Sequence, residues 1–295
     1  MPPITNDSLD PQIFELFDSY VHSLISRREF LDRAAKYAVG GLTAVAILEY
    51  LSPKYSAAQQ VRPSDPRLGE EYIEYSSPDG GGTIRGLLCT PEDDDVAFPG
   101  IVVVHENRGL NPHIEDVARR TALAGFVALA PDALTPLGGY PGNDDEGRVL
   151  QRQRDRGEML EDFIAAFSTL KAHPRCTSNV GVVGFCFGGW ISNMMAVRVP
   201  DLMAAVPFYG GQPDIENVPA INAPLLLHFA ELDPRVNQGW PAYEAALKEH
   251  DKEYSAHHYA GARHGFHNDT TPRYDEEAAK LAWQRTIEFF GEKLR

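Results

Sequence analysis

From about residue 70 onward the chain repeats one kind of unit, a short unbroken apolar run followed by a longer segment with apolar residues at helical spacing. Ile101–Val104, Val127–Ala130, Val180–Val183, Ala204–Phe208 and Leu225–Phe229 are such runs. A strand that is apolar on consecutive residues must be covered on both faces, because successive side chains point to opposite sides of a sheet. Helical patterns lie between the runs, near 113–124, 147–172, 188–198, 239–250 and 274–294. The alternation predicts the α/β class, with a mostly parallel sheet and helices on both faces. Tyr72–Tyr75 and Thr83–Leu88 flank Asp79-Gly80-Gly81-Gly82, which predicts an opening hairpin, and Tyr254–Tyr259 reads as a further strand.

The chain of 295 residues is long enough for one large core. It carries 42 acidic against 27 basic residues, a formal net charge of −15, and such a surface repels phosphate backbones, which excludes nucleic acid as a partner. No apolar run reaches the roughly 18–20 residues of a membrane span. The three cysteines, Cys89, Cys176 and Cys186, are too few for a disulfide framework and lack zinc-site spacing. Cys89 and Cys176 read as small buried hydrophobes.

Residues 1–58 differ in character from the rest. Ile13, Phe14, Phe17, Tyr20, Val21 and Leu24 predict an amphipathic helix. Ser26-Arg27-Arg28-Glu29-Phe30-Leu31, the mostly apolar Tyr37–Leu48 and the small residues Ser56-Ala57-Ala58 together resemble a twin-arginine export signal. The preceding stretch is long and acidic (Asp7, Asp10, Glu15, Asp18), unlike such signals, and Glu49 crowds the end of the apolar segment. The competing reading is a pair of helices packed on the main domain or on a second subunit. Location is thus open between periplasm, by export, and cytoplasm, and the oligomeric state between monomer and homodimer. Gln59–Gly69, rich in Pro and polar residues, reads as a linker to a domain spanning residues 70–295.

Gly184-Phe185-Cys186-Phe187-Gly188 sits between a strand and a helical pattern. Gly-x-nucleophile-x-Gly in that setting is the nucleophile elbow, here with cysteine. The glycines permit a strained nucleophile, and the N-terminus of the following helix favours thiolate over thiol. Asp233 follows at the end of the fifth run and His264 on the loop after Tyr254–Tyr259, both at the carboxyl edge of the expected sheet. Nucleophile, acid, histidine is the chain order of the α/β-hydrolase fold. In this reading Cys186 attacks, His264 moves the proton and Asp233 orients the imidazole. Glu231 is a rival acid, and Asp233 standing alone reads as a helix cap. His257, His258 and His267 near His264 raise a metal cluster, which the opposite facing of adjacent strand residues disfavours. No metal and no cofactor is expected.

Through His105-Glu106-Asn107-Arg108-Gly109-Leu110, Phe126–Asp132, Gly184–Gly189 and Arg263-His264-Gly265-Phe266, the chain from about Tyr72 to Leu294 resembles the dienelactone hydrolase family. The resemblance implies hydrolysis of a small carboxylic ester or lactone through a Cys186–His264–Asp233 triad. It further implies that Glu106 contacts and activates the resting thiol, a role that suits a carboxyl whose pKa is raised by burial. The implied oxyanion hole pairs the N–H groups of Phe187 and Asn107. Family members that act on carboxylated lactones hold the carboxylate with arginines. At one of these places this chain has Asn268, which lacks a guanidinium's charge and fork, so dienelactone itself is in doubt as a substrate. The other falls among Arg148, Arg152, Arg154 and Arg156, with Arg154 and Arg152 as the candidates. The alternatives to a hydrolase are a redox-sensitive thiol protein and a non-catalytic α/β-hydrolase scaffold.

Overall fold

A computed structural model of the chain describes residues 4–38, 42–93 and 96–295. Its centre is an eight-stranded sheet in the order β1-β2-β4-β3-β5-β6-β7-β8, with β1 Leu68–Ser77, β2 Gly82–Pro91, β3 Phe98–Val104, β4 Val127–Pro131, β5 Cys176–Phe185, β6 Ala204–Phe208, β7 Leu225–Leu232 and β8 Tyr254–Arg263. The β1–β2 hairpin is antiparallel and joins β4 antiparallel. All other neighbours pair in parallel. The chain before β1 contains α1 Pro11–Val21, α2 Arg27–Ala34, α3 Ala44–Leu51 and α4 Tyr55–Ala58. After β3 come α5 Pro112–Leu123, then α6 Asp144–Gln151, α7 Arg156–Lys171, α8 Phe187–Arg198, α9 Pro234–Asn237, α10 Trp240–Glu249 and α11 Glu276–Leu294.

The period of two along each strand sorts the core into two layers. Val102 and Val104 of β3 face a cluster with Phe163 of α7, Met195 of α8 and Leu247 of α10. Ile101 and Val103 face the opposite cluster, with Ile114 of α5 and Phe290 of α11. The unbroken apolar runs are thus strands covered on both sides, as expected. One expected helical stretch, 147–172, is two helices. Asp155 caps α7 by accepting from the N–H groups of Gly157 and Glu158, so the chain turns between α6 and α7.

The segment before the sheet is a docked arm with its own small core of Ile13, Phe14, Phe17, Tyr20, Phe30, Ile47 and Leu51. Leu24, expected on its buried face, is instead exposed. Ser26 and Glu29 form a capping box at the start of α2: the Ser26 N–H donates to Glu29 Oε2 at 2.8 Å, and the Glu29 N–H to Ser26 Oγ at 3.2 Å. Three residues of the export-like motif therefore have a structural use here, since Phe30 is fully buried. The expected apolar segment Tyr37–Leu48 includes residues 39–41, which lie outside the described residues. No helix among the described residues is long and apolar enough to cross a membrane.

The expected linker 59–69 is corrected in part. Leu68 and Gly69 already belong to β1, and the Gln60 and Val61 N–H groups donate to Asp116 Oδ1 at 3.1 and 2.7 Å, strapping the segment to α5. Arg27 pairs with Asp145 at 2.9 Å, and the Tyr55 hydroxyl donates to Asp144 at 2.7 Å, so the arm also grips α6.

Phe30 contacts the rings of Phe17 and Tyr20, with centroids 6.1 and 5.4 Å away. Truncating a buried Phe costs about 3–5 kcal/mol, and regions open as local units. Phe30→Ala is expected to speed amide hydrogen exchange in residues 11–34 by about 10²-fold or more while β3, β5 and β6 keep their protection. Equal loss of protection in the sheet would show that arm and sheet open together.

Candidate active site

β5 ends at Phe185 and α8 begins at Phe187, which leaves Cys186 in the turn with φ 58° and ψ −109°. A non-glycine residue there is strained by roughly 1–3 kcal/mol and must be held by its surroundings. The Cys186 N–H donates to the Phe208 carbonyl of β6 at 3.0 Å. A Cβ on Gly184 would lie 2.0 Å from the Gly188 carbonyl oxygen, and one on Gly188 2.4 Å from that of Val104. Both glycines are therefore required by contact with backbone that cannot yield. Phe187 opens α8, so its N–H is among those with no acceptor inside the helix.

Asp233 follows β7 and does two jobs. Its Oδ1 accepts from the Val236 N–H at 3.3 Å, capping α9, and its Oδ2 lies 2.5 Å from His264 Nδ1. The cap and the partner of histidine, alternatives in the sequence, coexist on one carboxylate. Glu231 is used elsewhere, accepting from the Gly261 N–H at 2.8 Å. With Nδ1 committed to Asp233, His264 Nε2 is buried and free of any hydrogen bond.

The structure adds a group absent from the sequence reading. His22, the residue that ends α1, places Nε2 3.4 Å from Cys186 Sγ, and its ring meets that of His264 edge-on at 4.6 Å. Its Nδ1 donates to the Asp18 carbonyl at 2.8 Å and lies 3.2 Å from the Asp18 carboxylate. Arg235 Nη2 lies 2.9 Å from His22 Nε2 and 3.2 Å from His264 Nδ1. The Nδ1 proton of His264 goes to the nearer Asp233, so that guanidinium contact is charge proximity, not a hydrogen bond. Arg273, buried, is 3.7 Å from Asp18. The spacing of Asp18 and His22, i and i+4, puts them on one helix face. Nothing in the sequence says that this face covers the sheet edge.

These neighbours decide the charges. Burial alone pushes the Cys186 thiol up, but the imidazolium groups of His264 and His22 outweigh it and bring the thiol down to about 5. Burial disfavours imidazolium on His264, yet Asp233 and the thiolate raise it to about 10. Burial likewise opposes the charge on His22, and Cys186 and Asp18 raise it above its ordinary value. Cys89 and Cys176 go the other way: burial pushes the Cys89 thiol up to about 12 and raises that of Cys176.

Glu106 departs from its expectation. It is buried, but the positive charges of Arg108, His113, Arg273 and His264 overcome burial and hold its carboxyl below the usual range. Its Oε2 accepts from Asn268 Nδ2 at 2.9 Å, and Asn268 Oδ1 in turn accepts from the Thr270 N–H and hydroxyl. Asn268 is thus a clasp for Glu106. The Asn107 side chain donates to the Val21 carbonyl at 2.6 Å and ties the arm down. Of the candidate arginines, Arg154 is buried, donating to the Ala133 carbonyl and pairing with Asp162 at 2.9 Å, so it serves the core, not a ligand. Arg152 is exposed beside the arm, in a hollow with Tyr20 and Arg148. Arg156, stacked at 3.9 Å over Trp190, is the member of that cluster whose charge couples to Cys186.

His257 and His258 stack on His228 and Phe229, away from His264. Among the described residues, donor atoms close enough for one metal ion are those of His22, Cys186 and His264, all within 4.8 Å of one another. Thiolate and two imidazoles are a donor set a divalent ion can take, but the Arg235 guanidinium already brings positive charge to His22 Nε2. A cavity of about 290 Å³ lies between arm and sheet edge, lined by Asp18, Asp233, Arg235, His264 and Arg273 among others. Cys186, 9% exposed, sits behind its two histidines.

A model described as the dienelactone hydrolase family matches residues 84–294. The chain belongs to that family. It is accordingly a lactone or ester hydrolase with the α/β-hydrolase fold. A second family model, described as YqhI-like, matches residues 1–36. Over 114 residues the chain is 57% identical to the Escherichia coli protein named "Putative hydrolase fragment YghX", which covers 39% of this chain and 97% of that protein. It is 31% identical over 258 residues to a "Putative carboxymethylenebutenolidase" of Saccharolobus solfataricus, covering 75% and 97% of the two chains. Among solved structures, the "Putative Dienelactone Hydrolase" of Klebsiella pneumoniae superposes with a TM-score of 0.66 at 27% identity, over 76% of this chain and 99% of that one.

In this dienelactone hydrolase family member the elbow glycines are expected to be intolerant. Gly184→Ala should lower stability by about 3 kcal/mol through overpacking. Gly291→Ala, in α11 with open space around it, should raise stability by up to about 1 kcal/mol. Urea unfolding midpoints of the two variants check this, and an unshifted midpoint for Gly184→Ala would remove the strained-turn account.

Proposed function

We propose that this hydrolase cleaves a small carboxylic ester or lactone through an acyl-cysteine intermediate, with Cys186 as nucleophile, His264 as proton carrier and Asp233 as the group that orients it. The observation that carries the reading is a ring nitrogen of His264 within 4.8 Å of Cys186 Sγ, with Nδ1 held by Asp233 at 2.5 Å and Nε2 buried without a hydrogen-bond partner. The thiolate adds to the carbonyl carbon, the leaving alkoxide takes the Nε2 proton, and water then hydrolyses the thioester with His264 as base. The Phe187 and Asn107 N–H groups are the proposed donors to the oxyanion. Glu106, held as a carboxylate, acts in this reading through the field around Arg273 and His264. With Asn268 clasping Glu106 and Arg154 paired to Asp162, Arg235, Arg263 and Arg273 are the arginines that line the cavity.

A redox role draws on the same lowered thiol, but it lacks a resolving partner. Cys176 begins the strand that Cys186 follows, about 30 Å away at 3.3 Å per residue. Cys89 pairs with Ala128 near the start of β4, at the other edge of the sheet.

Cys186→Ala is expected to abolish turnover of p-nitrophenyl acetate and of a panel of lactones, and Asp233→Asn to lower kcat by about 10³–10⁴-fold. Glu231→Gln should stay within a few-fold of the parent. Equal turnover by parent and Cys186→Ala would remove the role given to this thiol, and a larger loss in Glu231→Gln than in Asp233→Asn would move the acid. The export-like motif bears on the same site, because cleavage after Ala58 would take away the whole arm. We expect active protein to keep it, so intact mass spectrometry of active enzyme from periplasm and cytoplasm should find residues 1–58 still attached.

A further inference from the structure

We propose that His22, carried to the site by the N-terminal arm, is a second catalytic histidine: it holds the Cys186 thiolate while His264 is left to move protons on the substrate. The inference rests on the hydrolase reading above and extends it to a group outside the matched 84–294 segment.

The geometry separates the two imidazoles by task. His22 Nε2 lies 3.4 Å from Sγ and 2.9 Å from Arg235 Nη2, and because a guanidinium only donates, Arg235 is a charge neighbour of this nitrogen and the thiolate is the acceptor of its proton. His264 also stabilises the thiolate, but its Nε2 has no partner at hydrogen-bond geometry and its ring lines the cavity, where an ester oxygen can meet it. His22 is equipped for the charged form. It ends α1, where the helix dipole favours a cation, and Nδ1 is committed to the Asp18 carbonyl and carboxylate. Asp18 is kept ionised by His22, His264 and Arg273, against burial. Asp18 thus stands behind His22 as Asp233 stands behind His264, although here the Nδ1 proton goes to the backbone carbonyl and the carboxylate contributes its charge from 3.2 Å. The charged groups that face the pair are Asp18, Asp233, Arg235, Arg273, Glu106 and, beyond the thiol, Arg156.

The arm is held to the register this contact needs. Asn107 fixes the Val21 carbonyl next to His22. Arg148, Arg263 and Arg273 cover the rings of Tyr20, Phe14 and Phe17 at 4.3, 4.6 and 5.2 Å. A single histidine would have to leave the thiolate in order to protonate the alkoxide. With two, His22 keeps its proton throughout. Sγ forms its bond to the acyl carbon as the carbonyl electrons move to oxygen. Collapse breaks the bond to the leaving oxygen, which takes the proton of His264. Water then gives a proton to His264 as its oxygen bonds to the acyl carbon. Collapse expels Sγ as thiolate back to His22 Nε2–H, and the acid leaves.

The test uses the full chain with His22→Gln, His22→Ala and Asp18→Asn, folding being checked by circular dichroism. Alkylation of Cys186 by iodoacetamide, read by mass spectrometry of its peptide across pH, reports the thiolate without any substrate. The expected result is a midpoint raised by about one pH unit or more in both His22 variants and by less in Asp18→Asn. Turnover of p-nitrophenyl acetate should fall by about 10²-fold in His22→Ala and recover in part with added imidazole. An unmoved midpoint in a folded His22 variant would overturn the proposal, as would His22→Ala turning over faster than the parent, the behaviour of a plug. Failure of the hydrolase reading shows differently, as parent turnover no better than Cys186→Ala.

Discussion

The backbone of Cys186 is the constraint from which the rest of the sheet edge follows. Held at positive φ, it is sustained by a hydrogen bond to β6 and by two glycines that touch backbone atoms at distances no side chain tolerates. That turn lifts Sγ clear of the sheet and starts α8 immediately behind it. Asp233 and His264 come from the ends of β7 and β8, so their meeting depends on the parallel register of strands that share no local sequence with the elbow. Strain at one residue is thus borne by the packing of β3, β5 and β6 around it.

Electrostatics at the site is a contest that burial loses. A buried thiol is ordinarily hard to ionise, as Cys89 and Cys176 illustrate. Cys186 differs because two imidazoles face it, His22 backed by Asp18 of its own helix and His264 by Asp233 from the neighbouring strand end. The same surroundings keep Glu106 ionised, with Asn268 as its hydrogen-bond donor. The carboxyl that the family resemblance sets against the thiol is thereby ionised, and the residue standing at an arginine's place is its hydrogen-bond donor.

The arm illustrates how one segment of sequence can satisfy two descriptions. Ser26-Arg27-Arg28-Glu29-Phe30-Leu31 resembles an export motif, yet Ser26 and Glu29 form a capping box, Phe30 fills a small core and Arg27 grips α6. Composition and order are the same in both descriptions. Only the partners differ, and partners are not visible along a chain.

The apolar period determined the sheet, its two-sided cover and the placing of Cys186, Asp233 and His264 at one edge, because period and chain order are local and topological properties. Glycine on both sides of Cys186 announced the turn for the same reason. Where the sequence failed, the deciding contact was between distant segments. The 147–172 pattern hid a helix break at the Asp155 cap, and Arg154 could not be told from its neighbours until Asp162 was seen to claim it. His22 carries no signal of its own, since a histidine four residues after an aspartate is ordinary on a helix. Only the tertiary structure brings it to the thiol, because the packing of the arm against the sheet edge is set by side chains hundreds of residues apart, and no local pattern records which face of a helix will find which partner.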